Sequence, residues 1–105
     1  MGLPMTDADW RNEDTAALFD AILQLETRDE AAAFFRDLCT RRELEEMRQR
    51  WAVARLLTTH LPYREISDQT GVSTATITRI NQWLQHGAGG YRLMLDRLGY
   101  SEDDQ

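Results

Sequence analysis

The stretch LPYREISDQTGVSTATITRINQWL, residues 61–84, decides the fold of this chain. Ile66, Val72, Ile77 and Ile80 are spaced so that two short helices joined by a glycine turn bury their inner faces against each other, leaving the polar residues between them outside. Pro62 suits the first turn of the earlier helix, where its missing N–H costs nothing. Gly71 ends that helix, because glycine tolerates a left-handed backbone best, and Ser73 stands as N-cap of a second helix over residues 74–85. This is the helix-turn-helix arrangement, whose second helix enters a DNA major groove by its N-terminal end. Ser73, Thr74, Ala75 and Thr76 are small enough for close approach to bases, and the positive end of the helix favours nearby phosphate. The same spacing also fits an ordinary helical hairpin whose β-branched residues only pack.

Outward from this stretch, apolar residues recur at helical spacing nearly everywhere and no segment sustains an alternation of period two, which predicts an all-α fold. The 105 residues make one domain, with residues 1–12 a flexible N-terminus, 61–86 the helix-turn-helix and 99–105 an acidic tail. A helix is expected over 14–26, where Leu18, Phe19, Ile22, Leu23 and Leu25 form an apolar face wide enough for contacts on two sides. Thr27 with Glu30, and Thr40 with Glu43, have capping-box spacing and mark two further helix starts. The first of these helices presents Ala31, Phe34, Phe35 and Leu38 as a core stripe, the second Leu44, Met47, Trp51, Ala54 and Leu57. Gly87, Gly89 and Gly90 break the chain before a last helix around 91–98.

A net charge of -6 should repel phosphate, yet its distribution is uneven. Residues 1–39 hold nine acidic and three basic side chains, residues 40–97 six and nine, and the terminal SEDDQ adds three acids. Phosphate at Debye-length range meets the basic middle, so the acidic total argues only against strong non-specific binding. All 12 basic residues are arginine, which suits bidentate contact with phosphate and guanine. The helix-turn-helix itself is locally neutral, with Arg64 and Arg79 against Glu65 and Asp68. A wider positive field falls to Arg48, Arg50 and Arg55, unless these pair with Glu45 and Glu46.

The opening TDADWRNED lacks the charge and apolar run of a signal peptide, and no stretch approaches the roughly 20 apolar residues of a membrane span. A cytoplasmic protein with no membrane partner is expected. Cys39, the single cysteine, reads as a buried free thiol, and His60 and His86 as capping or exposed residues. With no zinc-spaced cluster, neither metal nor cofactor is expected. No acid/base pair, nucleophile–base pair or phosphate loop is visible, so a small helical enzyme binding an acidic substrate among its arginines is set aside.

The run YREISDQTGVSTATITRINQWL, above all the ATITR of Ala75–Arg79, resembles the helix-turn-helix of the Trp repressor superfamily. The flanking RWAVARLL and WLQHGAGGYRLML resemble small bacterial Trp-repressor-like proteins of the YerC/YecD type, and the likeness covers roughly residues 35–98. It implies an all-helical, intertwined homodimer acting as a sequence-specific transcription regulator, a repressor, whose two reading heads address a near-palindromic site in double-stranded DNA. By the same resemblance Arg64 stands where the family places a guanine-contacting arginine. Tyr63, Ser67, Thr74, Ala75, Thr76 and Thr78 lie at or beside DNA-contact positions, and Ser73 and Arg79 complete the candidate set.

Trp repressor holds its corepressor indole between two arginines. One matches Arg79, the other falls at Gln49, and a serine that receives the ligand's amino group falls at Trp83. Helical periodicity turns Trp83 inward beside Ile77, Ile80 and Leu84, where its indole would fill the ligand's space. Gln49, Arg79 and Trp83 are thus the candidate pocket residues, tryptophan is not the expected effector, and any other small-molecule effector is unknown. The competing function is a helical protein-interaction module without DNA binding, which the acidic termini and neutral reading head permit.

Overall fold

A computed structural model describes residues 10–100. Six helices lie wholly within them: α1 (Glu13–Leu23), α2 (Arg28–Leu38), α3 (Arg41–Leu57), α4 (Tyr63–Thr70), α5 (Thr74–His86) and α6 (Gly90–Leu98). The described residues contain no strand, and the fold is all-α. The chain divides into two compact units, Met1–Thr40 and Arg41–Gln105. Residues 1–9 and 101–105, most of the expected flexible N-terminus and acidic tail, lie outside the described residues.

In the first unit, Asn12 caps α1 by accepting from the Thr15 N–H at 2.9 Å, and Trp10 meets Phe19 edge to face with centroids 6.1 Å apart. The last three residues of the segment expected to be flexible, 10–12, therefore include an anchored aromatic and a cap. α1 stops at Leu23, short of the expected Glu26. The reason lies in the next helix: Thr27 Oγ1 accepts from Glu30 N–H at 3.0 Å, and Glu30 Oε1 accepts from Glu26 N–H at 2.9 Å. The capping carboxylate of α2 thus takes the N–H that a longer α1 would need. Neither α1 nor α2 has a buried residue. Leu38, expected in a core stripe, is half-exposed, and Cys39 is half-buried rather than buried, its carbonyl accepting from Arg36 Nη1 at 3.2 Å.

The second unit carries the core: Val53, Ala54 and Leu57 of α3, Ile66 of α4, Val72 in the turn, Ile77, Ile80 and Leu84 of α5, and Leu95 of α6. Trp51 and Tyr91 stack on its edge at 6.3 Å with planes 14° apart. α3 starts at Arg41, directly after Thr40 as the second capping-box spacing requires, but Met47 is left at the surface. Pro62 precedes α4 as its N-cap rather than sitting in its first turn, and its carbonyl accepts the first helical bond, from Ile66 N–H. Gly71 closes α4 with φ 77°, its N–H donating to Ser67 O at 2.8 Å. Both exposed histidines sit near helix ends, His60 with φ 63° after α3 and His86 in the last turn of α5.

Candidate nucleic-acid interface

The α4–turn–α5 segment is held from inside by four side chains that the sequence placed there, since Ile66, Ile77 and Ile80 are fully buried and Val72 nearly so. The turn is short because two local devices close it. Thr70 Oγ1 donates to Ile66 O at 2.7 Å while accepting from Val72 N–H at 3.2 Å, and Gly71 supplies the left-handed step between them. Ser73 then caps α5, its Oγ accepting from Thr76 N–H at 3.1 Å.

The outer surface is polar and close-cropped. Arg64, Ser73, Thr74, Ala75, Thr78 and Arg79 are exposed, and Tyr63, Ser67 and Thr76 half-buried. Thr78 Oγ1 returns its hydrogen to Thr74 O at 3.0 Å, which turns its methyl group away from that bond. Arg64 makes no hydrogen bond or ion pair among the described residues, so its fork is available to a ligand. Arg79 is engaged: Nη2 donates to Thr76 Oγ1 at 3.1 Å, and Ser73 Oγ donates to the same oxygen at 3.0 Å. With two donors on its oxygen, the Thr76 hydroxyl has its own hydrogen left to point outward. This Ser73–Thr76–Arg79 chain was not legible in the sequence, although its i, i+3 spacings are the signal that permits it.

Gln49 and Arg79 line one cavity of about 350 Å3, together with Arg50, Glu46, Ser73 and Thr76. Gln49 Nε2 leans toward Thr70 O at 3.5 Å, a weak tie from α3 to the turn. Trp83 is not part of this cavity. Its side chain is 49% exposed and lines a separate space of about 480 Å3 with Gly87–Gly90, Tyr91 and Met94, which corrects the expectation of an inward indole filling the pocket. Ile77, Ile80 and Leu84 occupy the centre of the buried stripe, and Trp83 falls roughly a quarter-turn off it.

On α3 the arginines divide. Arg48 pairs with Glu45 and Arg42 with Glu46, each at 3.6 Å and well exposed, bridges that contribute little. Arg50 makes no ion pair among the described residues, and its guanidinium opposes the burial that pushes the Tyr91 phenol up.

A glycine-closed helix pair with one wholly apolar face and one short-chained polar face is a helix-turn-helix, the arrangement found in DNA-binding regulators. Residues 13–99 match the Trp repressor protein family, and the chain belongs to it. It is 39% identical over 94 residues to YerC of Bacillus subtilis (strain 168), covering 90% of both chains. A TrpR-like protein from Eubacterium eligens ATCC 27750 superposes with TM-score 0.86 at 41% identity, over 90% of this chain and 98% of that one. A Trp repressor-type protein from Staphylococcus aureus gives 0.85 at 40%, over 93% and 98%. The chain is thus Trp repressor-like, of the YerC type. Among the described residues no helix is long and apolar enough to cross a membrane.

Proposed function

We propose that the protein is a cytoplasmic homodimer that binds a specific, near-palindromic double-stranded DNA site and represses transcription there. The observation that carries this reading is the outer face of α4 and α5, where Arg64 stands unengaged beside the small exposed Ser73, Thr74, Ala75 and Thr78. Arg64 reads guanine, while Tyr63, Ser67 and the first turn of α5 fix register on the backbone and floor of the groove. The dimer draws support from α1 and α2, which bury nothing and leave Phe19 43%, Leu23 77% and Leu38 50% exposed. Selection of bound fragments from a random DNA pool tests the whole reading. Enriched half-sites about one helical turn apart are expected, and a pool that stays random would leave the protein-interaction alternative standing.

Regulation by tryptophan is not part of the proposal. The reason rests on Gln49, which replaces one of the two ligand-stacking arginines, and on Arg79, whose guanidinium is already drawn to Thr76. Calorimetric titration of the protein with tryptophan should give no saturable heat at micromolar ligand, and DNA affinity should be the same with and without it.

A further inference from the structure

Ser73, Thr76 and Arg79 succeed one another at three-residue intervals from the cap of α5 into its second turn, which brings their side chains together along one edge of the helix. Ser73 Oγ accepts from the Thr76 N–H at 3.1 Å and donates to Thr76 Oγ1 at 3.0 Å, and Arg79 Nη2 donates to that same oxygen at 3.1 Å. Both lone pairs of the Thr76 hydroxyl are thereby used, so Arg79 donates to an oxygen that is itself held in place. No carboxylate competes for the guanidinium. Arg79 makes no ion pair among the described residues, and Glu46, which lines the same cavity, is paired with Arg42 at 3.6 Å. The single bond to Thr76 leaves the other guanidinium N–H groups open to a ligand.

The bond to Thr76 also decides where this charge stands. Ala75 and Thr78 project opposite the buried stripe of Ile77, Ile80 and Leu84, whereas Thr76 is half-buried at the border of that stripe. Drawn to Thr76, the guanidinium leaves the centre of the outer face and lies on its flank. When a helix lies in a major groove, its outer centre meets base edges and its flanks meet the phosphates of the groove walls. We propose, on the DNA-binding reading of α4 and α5, that Thr76 is a positioning residue for Arg79. The Ser73–Thr76–Arg79 chain holds the guanidinium on the flank of α5 before DNA arrives, as the contact for one backbone phosphate in each half-site. The planar fork of the guanidinium suits two phosphate oxygens. A long side chain ordered beforehand loses less freedom on binding, so the gain is in affinity for every sequence alike rather than in preference among bases.

Thr76→Val removes the hydroxyl, keeps the branched shape and leaves the backbone N–H of residue 76 to the Ser73 cap. Thr76→Ser keeps the hydroxyl and serves as the rescue. In the full chain without DNA, nitrogen-15 relaxation of the Arg79 Nε–H should show a side chain more ordered than Arg64, which has no internal partner. Thr76→Val should bring Arg79 to the Arg64 level, and Thr76→Ser should not. An Arg79 as mobile as Arg64 in wild type overturns the tether, a comparison that stands even where Thr76→Val fails to fold. On the fragment selected from the random pool, Thr76→Val should weaken binding about two- to tenfold, the effect of ordering one long side chain on binding. The factor should be the same on single-base variants of the fragment, and Thr76→Ser should restore affinity. Arg79→Ala should weaken binding and lower the slope of log affinity against log salt by about 0.9 per reading head. In the Arg79→Ala background Thr76→Val should cost nothing further. An equal loss in both backgrounds makes Thr76 a DNA contact in its own right and overturns its positioning role, and a slope that Arg79→Ala leaves unchanged overturns the phosphate contact. Wild type that retains no fragment brings down the DNA-binding reading and the role of Arg79 with it, whereas wild type that binds with losses that add brings down the positioning role alone.

Discussion

Arg64 is an exposed side chain with no internal partner, so replacing it takes nothing from the fold. Arg64→Ala should therefore leave the melting temperature unchanged while costing about 1–3 kcal/mol on the selected DNA site, with preference relaxed at one base pair per half-site. Binding to a panel of single-base operator variants measures this, and uniform weakening across the panel would mark a phosphate contact instead. Tyr91 answers to pH rather than to DNA. Burial raises its phenol pKa above the ordinary 10.0, against the pull of Arg50. The native chain then holds this proton more tightly than the unfolded one, so its contribution to stability is complete below 10.0 and is lost as pH climbs toward the native pKa. Denaturant midpoints should fall through that alkaline window in wild type and fall less in Tyr91→Phe.

α5 separates stability from recognition on its two faces. Ile77 is fully buried, and Ile77→Ala should cost about 2–5 kcal/mol of unfolding free energy. Its neighbour Thr78 is exposed, and Thr78→Ala should stay within about 0.5 kcal/mol of wild type while changing which DNA fragments are retained. Chemical denaturation beside fragment selection for both variants checks the division, and equal effects on stability would deny it. This helix pair was legible in the sequence because its determinants are local: a glycine that must be left-handed, a serine cap three residues before the N–H it serves, and four apolar residues at fixed spacing. Elsewhere the outcome depended on competition or on neighbours. The end of α1 was decided by Glu30, which serves the Glu26 N–H from the following helix. Trp83 belongs to a helix whose inner stripe was correctly read, but the stripe's edge is set by what packs against it, and the indole stays half-exposed beside the Gly87–Gly90 turn. Arg79, a candidate contact for DNA or effector, also bonds Thr76, and that bond depends on a rotamer that composition does not dictate.

At the scale of the whole molecule, the apolar core among the described residues runs from Val53 to Leu95 and includes nothing from α1 or α2. Under the homodimer proposed above, the melting temperature should rise with protein concentration, and sedimentation at micromolar concentration should give twice the 12.2 kDa of the chain. A folded 12.2 kDa species there would remove the two-headed arrangement. The placement of that core also sets an order in time. α1 and α2 leave the ribosome before any residue of the buried cluster does, so until those residues follow, Phe19, Leu23 and Leu38 have no interior to enter. Proteases and chaperones meet these side chains first, and under the proposed homodimer a finished copy escapes them when it meets another. A cell making little of this regulator would then lose a larger share of it to degradation than a cell making much, so that its supply responds more than proportionally to its own rate of synthesis.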